Sequence, residues 1–222
     1  MLSPTEREQR QFPLPKTVDK TQGISGFSLM QSDLFSCFPL RKARVHEVYG
    51  PGALGFAAIS AAQAQSDVFW VREAWQPETI NPVGLSAFFD PSRLLVGQTR
   101  DQVEGLAVME EALRDGSLPL VVIELSQPLD LTAGRRLQLA AKAGNATGLC
   151  LIPEGMGSNT AETRWRCAPV FDPHDSTLQS WELIKNKSGT LGTWHVRWNT
   201  ASRRLRVVSP AGERPGSAGA SD

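Results

Sequence analysis

"VHEVYGPGALGFAAISAAQA" (residues 45–64) runs from an apolar strand through a glycine turn at Gly50, Pro51 and Gly52 into an Ala-rich helix. A strand that turns into a helix N-terminus is a frame in which backbone N–H groups can meet a phosphate. Gly50 and Gly55 carry the glycine spacing of the phosphate-binding pattern G-x-x-x-x-G-K-[ST]. The next two positions, where that pattern needs Lys and Ser or Thr, hold Phe56 and Ala57. Phe56 removes the cation that reaches the outer phosphates and adds bulk near them. Ala57 removes the hydroxyl that holds magnesium. The expectation is a retained frame with a dead site and no cofactor, against the alternative of residual ATP binding.

Outward from this stretch, strands alternate with helices. "DVFWVRE" and "RLLVGQ" read as strands, and a capping box from Thr99 to Gln102 opens a helix that Gly116 ends. "PLVVIEL" and "TGLCLIP" are nearly continuous apolar runs, as in strands covered on both faces. Between them, Thr132 is the expected cap and Gly144 the expected stop of a helix. This order gives an α/β fold with a mostly parallel sheet flanked by helices. After Pro153 the texture changes. "PEGMGSNTAE" reads as a flexible loop, and three period-two stretches follow, "TRWRCAP", "SWELIKNKSG" and "TWHVRWN". In the last, Trp194, Val196 and Trp198 share a face, so an antiparallel C-terminal extension with an aromatic inner side is expected. The domain reading is an N-terminal arm at 1–42, a core at 43–208 and a disordered tail at 209–222.

Composition narrows the function classes. The chain has 222 residues, 41% of them hydrophobic, with 23 basic and 23 acidic residues. One core of good size fits that length, and a balanced charge argues against a stand-alone nucleic-acid binder. Cys37, Cys150 and Cys167 lack C-x-x-C spacing, and His46, His174 and His195 lack ligand spacing, so no metal is expected. No apolar run reaches the ~20 residues of a membrane span, and the polar start lacks a signal-peptide core, so the expected location is cytoplasmic.

The sequence of motifs over about residues 43–208 resembles the RecA family, with "VHEVYGPGALG" at the P-loop, "PLVVIELS" at the second acidic strand and "WELIKNKSGTLGTWHVRWN" at a late Lys-Asn-Lys segment. The broken loop together with "LDLTAGRRLQLAAKAGNATGLCL" and "TRWRCAP" is most similar to the ImuA family, RecA-like accessory proteins of SOS mutagenesis. The resemblance implies a non-enzymatic role in DNA-damage-induced translesion synthesis, with ImuB, RecA or both as partners and an error-prone polymerase reached indirectly. It also implies two alternatives, a SulA-type division inhibitor acting on FtsZ, or a weak ATPase. Glu73 falls where RecA proteins have a catalytic Glu, and Glu124 where they have a magnesium-associated Asp; both are expected to be vestigial. Lys185 and Lys187 match lysines that reach a neighbour's ATP, and on a strand they point the same way with Asn186 opposite. The loop matching the second DNA-binding loop, residues 153–162, contains no Lys, Arg or aromatic residue, so little autonomous DNA affinity is expected. Arg164 and Arg166 remain candidates for partner or phosphate contact. In the arm, Phe35 and Phe38 belong to a set of large apolar residues that pack on the body or on a partner.

Overall fold

The strands from residue 45 to residue 151 are short and apolar, and each is separated from the next by a segment long enough to cross back over a sheet. Parallel pairing follows from that arrangement. The computed structural model describes residues 34–208 apart from 79, 175 and 190. Most of the expected arm and the whole expected tail lie outside the described residues.

The elements are β1 (Val45–Tyr49), α1 (Ala53–Ala64), β2 (Val68–Glu73), α2 (Pro82–Ser86), a 3-10 turn (Pro91–Arg93), β3 (Leu94–Thr99), α3 (Gln102–Asp115), β4 (Leu120–Glu124), α4 (Leu131–Gly144) and β5 (Thr147–Leu151). They continue as β6 (Thr163–Pro169), β7 (Leu178–Asn186), β8 (Gly192–Asn199) and β9 (Arg204–Val208). One sheet takes all nine strands in the order β3-β2-β4-β5-β1-β6-β7-β8-β9. Pairing is parallel from β3 to β6 and antiparallel from β6 to β9. The α/β class with an antiparallel extension is therefore observed, with β9 added to the three expected period-two strands.

Each face of the sheet has its own core. On one, α1 lies over Val48, Trp70, Val122 and Leu149 and meets Trp165 and Trp181 of the extension, whose Trp194 and Trp198 belong to the same core. On the other, α3 and α4 bury Met109, Leu113, Leu137 and Ala141 against Val45, Val71, Val121, Ile123 and Cys150. A large apolar side chain buried this fully contributes roughly 1.5–3 kcal/mol. The alanines of α1 let its backbone approach the sheet, and seven of its residues, Ala53 and Phe56 to Ala61, are buried.

Three local expectations change. Thr99 is the last residue of β3, paired with Glu73 and hence extended. The cap of α3 is Asp101, whose carboxylate accepts from Glu104 N at 2.9 Å. Gln102 instead bridges to the turn after β4, its Oε1 accepting from Ser126 N and Gln127 N. Asp130 rather than Thr132 caps α4, accepting from Ala133 N at 2.7 Å. Gly144 stays helical and Asn145 takes the left-handed end; a glycine is needed at 144 for close packing, since a Cβ there would lie 2.0 Å from Leu113 O. The end of the expected arm also packs on its own body. Residues 34–37 form a single helical turn, and Leu34, Phe38 and Leu40 join the core.

Candidate functional site at the strand carboxyl ends

In a phosphate-binding loop, several residues between the two glycines wrap the phosphate and turn their N–H groups inward. Here α1 begins at Ala53, so only Gly50, Pro51 and Gly52 separate it from β1, and Gly55 already lies in the first helical turn. The turn is closed against β6. Gly52 N donates to Cys167 O at 2.8 Å, and Ala53 N returns to Gly50 O at 3.0 Å. Both contacts need the absence of a side chain. A Cβ on Gly50, where φ is +96°, would lie 2.5 Å from Cys167 O, and one on Gly52 would lie 2.9 Å from Ala168 N. The glycines are thus used for close packing of the turn on β6.

Starting the helix at Ala53 also redirects Phe56. Its ring does not project toward a phosphate space, as the sequence suggested. It is fully buried among Phe38, Trp165 and Trp181, at centroid distances of 5.5, 5.4 and 4.6 Å. Phe38 itself is 2% exposed and also meets Trp181 at 5.0 Å, so this candidate for partner contact is taken up by the body. Phe35, on the same turn, is 57% exposed. Ala57 is buried, with no polar atom to offer a metal.

The two acids stand at the carboxyl ends of β2 and β4, where α/β folds build their sites. Glu124 is engaged inside the molecule. Trp70 Nε1 donates to its Oε1 at 2.8 Å, and Arg72 Nη2 lies 3.3 Å from its Oε2. Arg72 also donates to Gln76 Oε1 at 2.8 Å. A carboxylate held by a guanidinium and an indole is a poor magnesium ligand. Glu73 is 6% exposed, and its Oε2 and Arg72 Nε are buried without a hydrogen-bond partner among the described residues. Arg72 and Glu124 border a cavity of about 350 Å³ whose walls also include Leu54, Trp70, Leu85 and Phe88. Glu73 is not part of its wall.

The basic candidates fall into a second cluster, at the loop before β6. Glu47 on β1 is fully buried and binds Arg164 Nε through Oε2 at 2.7 Å. Its Oε1 accepts from Ser158 N at 2.9 Å. Ser158 O accepts from Arg164 Nη2 at 2.7 Å and from Lys185 Nζ at 2.9 Å. Thr160 O accepts from Lys187 Nζ at 2.7 Å and from Gln138 Nε2 at 3.0 Å. Lys185, on β7, and Lys187, just past its end, both reach toward this loop, but each clamps a separate carbonyl of it. Burial, followed by the charge of Arg164, lowers the pKa of Lys185. The second half of the loop expected to be flexible is therefore pinned, with Ser158, Thr160 and Glu162 buried. Arg166 pairs with its cross-strand neighbour Glu182 at 2.6 Å and remains half exposed.

Glu47, Trp70 and Arg72 were not singled out by sequence. A signal was present, since charged residues in strands covered on both faces require internal partners. His46 is another such residue. Its Nδ1 lies 2.7 Å from Thr163 Oγ1 and its Nε2 2.9 Å from Arg41 O, and burial lowers its pKa to about 4. Burial raises the thiol pKa of Cys150 and Cys167, which leaves them poor nucleophiles. Among the described residues, no three of His, Cys, Asp and Glu are gathered as metal ligands, and no helix is long and apolar enough to cross a membrane.

No family model matches the chain. It is similar to Protein ImuA of Caulobacter vibrioides, found in two strains, with 32% identity over 149 residues. The match covers 65% of this chain, which spans 58% of the length of the curated relatives it matches. That similarity supports an ImuA-like family identity for the chain.

Proposed function

We propose that the chain is a non-enzymatic accessory factor of the SOS response, acting in the cytoplasm to support error-prone translesion synthesis through contacts with ImuB, RecA or both. The reading rests on the similarity to ImuA proteins. The observation that carries its non-enzymatic part is the closed turn, in which Gly52 N is spent on Cys167 O and α1 starts too early for a phosphate wrap. Phosphoryl transfer depends on positioning and charge stabilisation, and a site without the loop or the Lys, and with Glu124 held by Arg72 and Trp70, supplies neither. Glu124, neutralised by Arg72, fits a structural role. Arg164, Lys185 and Lys187 are engaged with the loop at 158–160, which favours a scaffold over a DNA groove. Phe35 and Arg166 stay exposed for partner contact.

The test is co-purification of the full chain with ImuB, RecA and FtsZ presented separately. Retention of ImuB or RecA without added nucleotide is the expected result. Capture of FtsZ alone would transfer the chain to the SulA-type reading, and capture of none of the three would refute the proposal.

A further inference from the structure

Helix α4 is amphipathic, yet two large apolar side chains stand on its outer side. Leu131 is 50% exposed and Leu139 is 68% exposed. They sit at i and i+8 with Arg135 between them at i+4, so the three share one stripe about 12 Å long. Arg135 is exposed and has no acidic partner among the described residues. The stripe forms one wall of a groove of about 430 Å³, and Asn159, Thr160 and Lys187 form the other.

The groove is held rigid by contacts already described. Gln138 at its base donates to Val45 O and Thr160 O and accepts from Val45 N. Lys187 is oriented by Thr160 O, which uses one of its three N–H donors. The helix and loop approach closely at Gly134, where a Cβ would lie 2.1 Å from Thr160 Oγ1. The groove wall contains no carboxylate. Asp130, beside its end, is committed to the helix cap. The neighbouring Arg136 faces away, paired with Glu110 at 2.7 Å.

Two exposed leucines with two cations and no acid on a preorganised surface define a complementary partner. We infer that this groove docks a short acidic segment of a partner protein, carrying apolar side chains for Leu131 and Leu139 and carboxylates for Arg135 and Lys187. Apolar contact supplies the holding area, and the two cations set orientation and reject basic segments. The inference is independent of whether ImuB or RecA is the partner, and its assay can fail while the co-purification above succeeds.

The probe is a fluorescein-labelled peptide of sequence DELLEELD, with KKLLKKLK as its charge-reversed control. Anisotropy is measured against the full chain at 50 mM and 300 mM salt. Saturable binding of the acidic peptide, weakened at higher salt, is expected. The control should not bind. The doubly substituted variant Arg135→Glu/Leu139→Ser alters only exposed positions and should weaken the acidic peptide at least tenfold. Arg206→Glu on β9 should leave it unchanged. No saturable binding, equal binding of both peptides, or full affinity in the doubly substituted variant with unchanged circular dichroism would overturn the inference.

Discussion

Replacing Phe56 by Lys restores, on paper, the cation that a phosphate-binding loop needs. The structure makes the opposite prediction, that the variant loses its fold before it gains a ligand. Phe56 is fully buried in a cluster of three other rings. Truncating such a ring to Ala costs about 3–5 kcal/mol through lost burial and the cavity left behind. For a domain of this size, each kcal/mol shifts Tm by roughly 2–4 °C, so Phe56→Ala should melt about 6–20 °C lower. Lys in the same place adds an ammonium with no carboxylate within its cluster, a further cost of several kcal/mol. The sum approaches the whole stability of a typical domain, ~5–15 kcal/mol. Urea unfolding followed by tryptophan fluorescence reads this directly, because Trp165 and Trp181 both touch the ring. Phe56→Leu, which keeps most of the volume, should stay folded with a midpoint between wild type and Phe56→Ala. A Phe56→Lys/Ala57→Thr variant that unfolds like wild type would refute the placement of Phe56, and ATP binding by it would restore the reading of a dormant loop.

Other outcomes follow from the same geometry. Gly50→Ala, which forces a Cβ toward Cys167 O at a positive φ, should destabilise by at least about 1–3 kcal/mol, measured as a lowered urea midpoint. Glu47→Gln leaves Arg164 without its buried carboxylate, so a loss of roughly 3 kcal/mol and faster amide exchange at residues 158–162 are expected. His46 titrates near 4 when folded, against about 6.5 when unfolded, so the unfolded chain takes the proton first as pH falls. Its contribution is complete above pH ~6.5 and is lost on descending to pH ~4, by up to about 3 kcal/mol. Stability measured across that window should fall less steeply in His46→Gln.

Much of the architecture was legible because it depends on local pattern. The nearly continuous apolar runs at residues 120–124 and 147–151 are buried parallel strands, and the alternation of Trp194, Val196 and Trp198 is the inner face of β8. The caps were misplaced by a few residues, since Thr99 and Thr132 compete with nearby Asp101 and Asp130, whose carboxylates are better acceptors for backbone N–H groups. The site was less legible for a different reason. Whether Phe56 points at a ligand or into the core turns on a helix start at Ala53, and that start is fixed by a turn lying on a strand more than a hundred residues away. The Arg72–Glu124 pair likewise exists only because β2 pairs with β4 across the sheet. Lys185 and Lys187 both reach toward one loop, but the carbonyls they clamp there belong to a segment whose folding onto β1 no spacing rule reveals.

Calorimetric titration of the wild-type chain with ATP and magnesium tests the closed site most directly. With Gly52 N bonded to Cys167 O and Glu124 held by Arg72 and Trp70, no saturable heat should appear at any ATP concentration up to the millimolar range. Saturable binding with micromolar affinity would contradict the account.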